Sequence, residues 1–516
     1  MTDKLTSALK KYFGHRSFRE GQREIIEDVL FGKDVLGILP TGSGKSVCYQ
    51  LPARLLPGSV LVISPLISLM MDQEKQLAAA GYKDVIAFNS FLSLQKKQTA
   101  YRNLTDYKLI YASPEMLQNK GFIKKLSKLQ ISLFVVDEAH CISQWGHEFR
   151  PDYLKLGQTI ESLNRPPVLA LSATATPEVQ KDIAFQLNLP NIVRHVHQMD
   201  RENIAFQVEK LDNPEEKIKR ISDLLKAKPV PTMVYFSSRN WTEKAAADLS
   251  TALPDLNIAF YHGGMEQSDR ILIQQQFMHD QLDVICCTSA FGMGINKQNI
   301  RLVIHFHLPT QVESFIQEVG RAGRDGLSSV SLVLLAPNDD ILPRKLIQSE
   351  LPGSEDIDRL IYFLKARMNQ GNFEVPDQEI LMENVQITET QWRFIQYHLE
   401  KHGMMENNRM LPTSNWRKIP EKINRVAVER IKYKVSKVNE LLWWAEQGDC
   451  RRRTLFAPFQ DSIKQPTYHC CDRCDFKISE WTPVTKNVDQ HESFDWRQAF
   501  SSLMLQGEGD EKIKSG

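Results

Sequence analysis

Val135-Val136-Asp137-Glu138-Ala139-His140-Cys141-Ile142-Ser143-Gln144-Trp145-Gly146-His147-Glu148-Phe149-Arg150 joins two adjacent carboxylates at the end of an apolar run to a segment of aromatic and basic side chains. The run, Ile131 to Val136, reads as a strand of a parallel sheet covered on both faces. In open α/β sheets ligands gather just beyond the carboxyl ends of the strands. Asp137 and Glu138 therefore stand where a Mg²⁺-nucleotide would bind, and the loop behind them has the side chains of a nucleic-acid sensor.

Outward from this strand the same pattern repeats. Short apolar runs at Val35 to Leu39, Val60 to Ile63, Leu109 to Tyr111 and Val168 to Leu171 alternate with helix-like stretches, as in βα units around a parallel sheet. A second series comprises Met233 to Phe236, Ile258 to Tyr261, Val284 to Cys287, Leu302 to Phe306 and Val330 to Leu335. The polar segment Asp200 to Pro214 is expected to be the joint between two α/β lobes with a cleft between them. Beyond about residue 341 helical periodicity takes over, as in Asp356 to Met368 and Thr388 to His402.

Pro40-Thr41-Gly42-Ser43-Gly44-Lys45-Ser46 lies between an expected strand and an expected helix, the setting of a phosphate loop. Glycines let backbone N–H groups approach phosphates, Lys45 adds a point charge, and the Ser46 hydroxyl can ligate Mg²⁺. The strict pattern has glycine where Leu39 stands, and alone the stretch could be a surface glycine-rich turn. Asp137 to hold Mg²⁺ and Glu138 to polarise the attacking water complete one ATP-hydrolysing mechanism with it. In the second lobe, Arg321 and Arg324 could form a surface salt-bridge helix or be delivered across the cleft to the γ-phosphoryl group; a first lobe without its own arginine-finger candidate near the loop favours delivery.

The chain has 516 residues, 42% hydrophobic and 25% charged, and 64 Lys+Arg against 63 Asp+Glu leave a net charge of +1. That is globular material for roughly three or four domains, and any nucleic-acid face must come from local charge segregation. No apolar run reaches about 18 residues and the N-terminus has no secretory pattern, so no membrane contact and a cytoplasmic location are expected. Eight Cys in so long a chain argue against a disulfide scaffold; Cys48, Cys286 and Cys287 read as small core residues.

Ten segments in order resemble the RecQ family of superfamily 2 DNA helicases: Phe18-Arg19-Glu20-Gly21-Gln22, PTGSGKS at 40–46, SPLISL at 64–69, SPE at 113–115, DEAHCISQWGHEFRPDY at 137–153, LSATAT at 171–176, YFSSR at 235–239, YHGG at 261–264, FGMGINK at 291–297 and QEVGRAGRDG at 317–326. The aromatic-rich extension after the DEAH box is the most specific of them. The resemblance implies two RecA-like lobes, residues 1–203 and 204–340. It also implies that Gln22 reads the adenine edge, that Arg19 packs on the base, with His15 where relatives often carry an aromatic ring, and that Thr41, Gly42, Ser43, Gly44, Lys45 and Ser46 hold the phosphates. Gln317 joins Arg321 and Arg324 as catalytic. Trp145, His147, Phe149 and Arg150 are implied to touch single-stranded DNA and relay that contact to Glu138, since aromatic faces stack on any base; Trp145 and Phe149 could instead be core residues.

Cys450, Cys470, Cys471 and Cys474 offer four thiolates in one short polar region, the donor set of a structural Zn²⁺ site, and Cys450-Arg451-Arg452-Arg453 resembles the zinc-binding subdomain of the family. Cys470 is the expected fourth ligand, with His469 in reserve; Tyr468 stands where the commoner cysteine spacing would put a thiol. The chain is expected to continue as a helical, winged-helix-like module at 341–415, the zinc-binding subdomain at 416–480 and a tail at 481–516. Thr388 opens the helix that would be the recognition helix of that module. Arg417, Lys418, Lys422, Arg425, Arg430, Lys432, Lys434 and Lys437 outnumber nearby acids and offer either a phosphate-binding surface or a solvated helix face. No strand-separating hairpin with an aromatic tip is identifiable.

The expectation is an ATP-dependent helicase that uses ATP, Mg²⁺ and Zn²⁺, moves 3′ to 5′ on single-stranded DNA and opens tailed or branched duplexes in recombination and repair. It would act as a monomer alongside single-strand-binding and recombination proteins. The alternative is a DNA-stimulated ATPase acting as a clamp or remodeller without processive unwinding.

Overall fold

The computed structural model describes residues 2–65, 67–89, 92–143, 150–291, 297–406 and 408–484. It divides into Met1–Glu480, which holds every strand and helix named here, and Trp481–Gly516, of which only residues 481–484 are described. The expected tail therefore lies almost wholly outside the described residues.

The apolar runs become two all-parallel sheets. The first contains β1 (Val35–Ile38), β2 (Ser59–Ile63), β3 (Val85–Phe88), β4 (Leu109–Ala112), β5 (Ile131–Val136), β6 (Val168–Ser172) and β7 (Val193–Val196), in the order β3-β4-β2-β5-β6-β1-β7. The second contains β8 (Ile204–Lys210), β9 (Thr232–Tyr235), β10 (Ile258–Tyr261), β11 (Val284–Cys287), β12 (Leu302–His305) and β13 (Ser329–Leu335), in the order β10-β11-β9-β12-β13-β8. β1 lies between β6 and the edge strand β7 and is wholly buried. It carries Gly37 because a Cβ there would stand 2.7 Å from Ile25 Cδ1 of the covering helix Gln22–Leu30 and 2.9 Å from Leu171 Cδ2. The absent side chain lets that helix bring Gln22 down to the phosphate loop.

The expected joint at 200–214 is corrected by the structure. Residues Ile204–Lys210 form β8, paired with β13 over its whole length from Ile204↔Ser329 to Lys210↔Leu335. Its polar second half, Gln207, Glu209 and Lys210, disguises it because an edge strand is covered less completely than a central one. The connection between lobes shrinks to the residues just before it.

The two Cys of β11 and Cys48 are buried core residues. Beyond β13 the helices Ile341–Glu350, Ser354–Asn369, Gln378–Val385 and Glu389–Lys401 lead to a short hairpin of β14 (Met405–Glu406) and β15 (Arg409–Met410). The long helix Ile419–Glu446 and the short helix Arg451–Phe456 follow. Helix Glu389–Lys401 starts with a capping box, Thr388 accepting from the Gln391 N–H while the Gln391 side chain accepts from the Thr388 N–H. Leu360, Leu364, Trp392, Ile395, Leu399, Met404 and Ile423 form a core of their own. Leu441 and Trp444, later on the same long helix, join Phe456 and Cys471 in the core shared by the two sheets.

The cation-rich stretch 417–437 is not one basic face. Arg430 is buried, Lys434 pairs with Glu350, and Lys437 pairs with Glu440 at 2.7 Å. Arg417, Lys418, Lys422, Arg425 and Lys432 remain exposed. Counting charges along a helix ignores which of its faces packs inward, which is why the surface looked larger in sequence.

Candidate functional site at the lobe cleft

The chain leaves β1 at Leu39, whose N–H still donates to Ser172 O of β6 at 3.1 Å, and turns through Pro40–Ser46 before the helix Val47–Leu55. Gly42 (φ +85°) and Gly44 (φ +76°) take left-handed backbone that side chains disfavour. Gln22 holds this loop, its amide Nε2 donating to Ser43 O at 2.8 Å and Gly44 O at 3.0 Å, while its Oε1 accepts from Arg19 N at 2.9 Å. Arg19 Nη1 donates to Gly42 O at 2.5 Å. Both residues expected at the base thus brace the loop itself, and His15 is exposed nearby in the chain. The Ser43 hydroxyl is buried without a hydrogen-bond partner, as befits a loop shaped for a ligand with acceptor oxygens.

Beyond β5, Asp137 is buried and accepts from the Glu138 N–H at 3.0 Å. Burial, with the Glu138 carboxylate adding, pushes the Asp137 carboxyl up to about 7 against the pull of Lys45. A divalent cation is the group that would hold such a carboxyl ionised. Glu138 sits at φ +49°, strained for a non-glycine residue, with its Oε2 3.5 Å from His140 Nδ1. That ring nitrogen shares a hydrogen bond of 2.9 Å with Ser172 Oγ at the end of β6, tying Glu138 to the LSATAT segment. Trp145, His147 and Phe149 lie outside the described residues. Arg150 donates from Nη1 to Pro65 O at 3.0 Å and stands 4.0 Å from Glu115.

The second lobe closes on the loop with the helix Val312–Val319 and the turn after it. Gln317 and Arg321 are buried there, the helix packing Phe315 on Trp444 with ring centroids 4.9 Å apart. A Cβ at Gly320 would stand 3.0 Å from Thr41 Cβ, and one at Gly42 would stand 3.2 Å from Arg324 Cγ, so the two lobes are in contact through glycines. Burial, together with the charges of Arg321, Arg201 and Arg19, brings the Arg324 guanidinium down to about 9. Like charges from both lobes crowded beside a glycine loop make a polyanion site; a triphosphate is the ligand that would relieve them.

The sequence reading missed Arg201. It donates from Nη1 to Thr41 O at 3.3 Å and Gly320 O at 3.4 Å, and from Nη2 to Gly323 O at 2.6 Å. Behind it the buried Arg452 pairs with the buried Asp200 and donates to Arg201 O and Ile204 O.

The sulfurs of Cys450, Cys470, Cys471 and Cys474 all lie within 4.8 Å of one another, with Cys450 Sγ 3.6 Å from Cys470 Sγ and 3.9 Å from Cys471 Sγ. Four thiolates at the usual Zn–S distance sit about 3.8 Å apart on a tetrahedron, so these residues fit zinc. Arg451 N donates to Cys471 Sγ at 3.3 Å, the kind of outer-shell bond that steadies a thiolate ligand. His469 instead packs on Phe476, ring centroids 4.9 Å apart.

Residues 19–183 match the family described as DEAD/DEAH box helicase, and residues 216–326 match the helicase conserved C-terminal domain. Among solved structures, the helicase MrfA bound to DNA and AMPPNP superimposes with a TM-score of 0.56 at 18% identity over 67% of this chain and 52% of that one. The Mycobacterium smegmatis helicase Lhr bound to ssDNA and AMP-PNP gives a TM-score of 0.55 at 20% identity over 77% of this chain and 57% of that one; both likenesses concern the fold. The "ATP-dependent DNA helicase RecQ" of Haemophilus influenzae is 43% identical over 66% of this chain, which spans 55% of that protein's length. The Bacillus subtilis (strain 168) "Probable ATP-dependent DNA helicase RecS" is 44% identical over 92% of this chain and 93% of its own length. With a glycine loop, a DEAH carboxylate pair and paired arginines meeting in one cleft, the chain belongs to the RecQ family of ATP-dependent DNA helicases.

Proposed function

We propose that this helicase moves 3′ to 5′ on single-stranded DNA and separates tailed or branched duplexes in recombination and repair. The reading rests above all on the convergence of the phosphate loop, Asp137 and Glu138, and the arginines of the second lobe on one cleft. Lys45 and the loop N–H groups bind the phosphates, and Ser46 and Asp137 would hold the Mg²⁺ that accompanies the nucleotide and neutralises its charge. Glu138 orients the attacking water, held by the His140–Ser172 pair. Arg321 and Arg324 meet the charge that develops on the transferred phosphoryl group, so hydrolysis requires closed lobes. Gln22 and Arg19 meet the base, with His15 beside them, once the nucleotide takes over the hold of Gln22 and Arg19 on the loop.

Trp145, His147, Phe149 and Arg150 contact the DNA strand and report it to Glu138. Zn²⁺ on Cys450, Cys470, Cys471 and Cys474 fixes the subdomain at 416–480, and residues 341–415 serve as a winged-helix-like DNA module. In the sequence Asn407 and Asn408 separate β14 from β15, with no aromatic residue between these strands to act as a wedge. We take the protein to act as a monomer in the cytoplasm, alongside single-strand-binding and recombination proteins.

The test is ATP-dependent separation of labelled DNA duplexes with a 3′ tail, a 5′ tail or none, with an RNA duplex alongside. Separation of the 3′-tailed DNA alone is expected. Lys45→Ala should lower hydrolysis about a hundredfold or more while DNA binding persists. DNA-stimulated hydrolysis without separation would replace unwinding by a clamp or remodelling role.

A further inference from the structure

We propose that Arg201 is a positioning residue for ATP hydrolysis, a clamp that holds the phosphate loop of the first lobe against the arginine segment of the second. The proposal rests on the ATPase reading above and assigns a task to a residue outside its motifs. Arg201 lies in the short connection between β7 and β8, so its backbone belongs to the covalent joint of the lobes. Its guanidinium gathers carbonyl oxygens from both sides: Thr41 of the loop, and Gly320 and Gly323 on either side of Arg321. The bond to Gly323 O is the shortest at 2.6 Å, and Asn203, two residues on, donates from Nδ2 to the same oxygen at 2.8 Å. Arg201 is thus fixed most firmly to the turn that carries Arg321 and Arg324, and reaches from there to the loop.

The fork suits this task. A guanidinium spreads its donors in a plane and can serve several acceptors at once, whereas an ammonium offers one compact charge. Pro40, Thr41, Met199, Ile316, Gly320 and Phe456 line the seam around it. Its anchorage is rigid. Arg452 grips the Asp200 carboxylate and the Arg201 and Ile204 carbonyls, Lys464 N donates to Asp200 Oδ2 at 3.0 Å, and Thr467 N donates to Glu202 O at 2.9 Å. Arg324 must stand opposite the γ-phosphate to act, and its Cγ already lies 3.2 Å from the Cβ position of Gly42. The Arg201 contacts set that placement before any nucleotide arrives, and misplacement of about 1 Å costs about a hundredfold in rate.

The experiment compares the unaltered protein with Arg201→Ala and Arg201→Lys. Three quantities are read: kcat and KM for ATP with saturating single-stranded DNA, the melting temperature, and the radius of gyration of the nucleotide-free protein by small-angle X-ray scattering. Arg201→Ala should lower kcat about 10- to 100-fold with KM for ATP within about twofold, and raise the radius of gyration as the lobes part. Arg201→Lys should fall between it and the unaltered protein. A kcat equal to that of the unaltered protein in both variants, or a change confined to KM, overturns the proposal. If Arg201→Ala melts early, Arg201→Lys decides: an intermediate kcat supports the clamp and an unaltered kcat overturns it. Failure of the unaltered protein to hydrolyse ATP would instead sink the ATPase reading. The scattering comparison would then still judge the clamp, an unchanged radius in Arg201→Ala overturning it.

Discussion

Two regions follow the second sheet, and they are attached to the motor by opposite means. The four-cysteine region is built into it. Arg452 and Asp200 are both fully buried, Phe206 N of β8 donates to Cys470 O at 3.1 Å, and Trp444, Phe456 and Cys471 share the core of the sheets. The helical region 351–427 has its own core and meets the first lobe through ion pairs, Lys155–Glu400 at 2.7 Å and Arg393 at 3.9 Å from both Glu115 and Asp152. A desolvated ion pair inside a packed seam is costly to break, whereas pairs at the water boundary are worth little each and weaken with salt. The first region should behave as part of the motor and the second as a reversible attachment.

Metal removal should have the largest effect. A site that joins Cys450 to thiolates 20 residues and more along the chain exists only in the folded chain, so metal binding energy is folding energy, several kcal/mol at least. Cys471→Ala is expected to bind less than one equivalent of zinc by elemental analysis and to melt well below the unaltered protein. Because Cys470 O receives the Phe206 N–H, the second sheet should loosen with it. Full zinc occupancy in the variant would remove Cys471 from the ligand set.

Next in size is Arg452→Ala, which strands the Asp200 carboxylate in the interior. Burial already pushes that carboxyl up against the pull of Arg452, so without its partner it must take up a proton or draw in water. About 3 to 5 kcal/mol should be lost in denaturant unfolding followed on the motor lobes. A loss under about 1 kcal/mol would place this seam in the same class as the ion pairs of the helical region.

What could be read from sequence follows the same physics. Central strands such as β1 and β5 are buried on both faces, so their apolar runs announced the sheets. β7 alternates half-buried and exposed residues, and Arg194 and His195 broke its apolar pattern. The phosphate loop was legible because only glycine tolerates its backbone and only particular side chains supply its charge. Arg201 was not, because its partners in the phosphate loop and the arginine turn are backbone carbonyls, which any residue provides and no motif records. Arg430, Lys434 and Lys437 looked like a DNA surface for the converse reason: sequence lists charges without saying which of them the fold has already paired.

The smallest effect, and the one that most sharpens the contrast, belongs to Glu400→Gln. Removing one partner of Lys155 at this part-exposed site should weaken docking by about 0.2 to 1 kcal/mol, an increment that shrinks as salt rises. Global unfolding would hide so small a change, so the measurement is amide hydrogen exchange resolved by segment. Exchange should quicken in helix Glu389–Lys401 and stay unchanged in helix Arg451–Phe456; equal change in both would mean that the two regions are one unit. Glu115 adds a functional edge to this arrangement. It stands 4.0 Å from Arg150 and 3.9 Å from Arg393 of the docked helix, so one carboxylate serves both cations. A phosphate of single-stranded DNA arriving at either arginine competes with Glu115, and DNA should therefore loosen helix Glu389–Lys401 in the same exchange experiment, in the direction of Glu400→Gln.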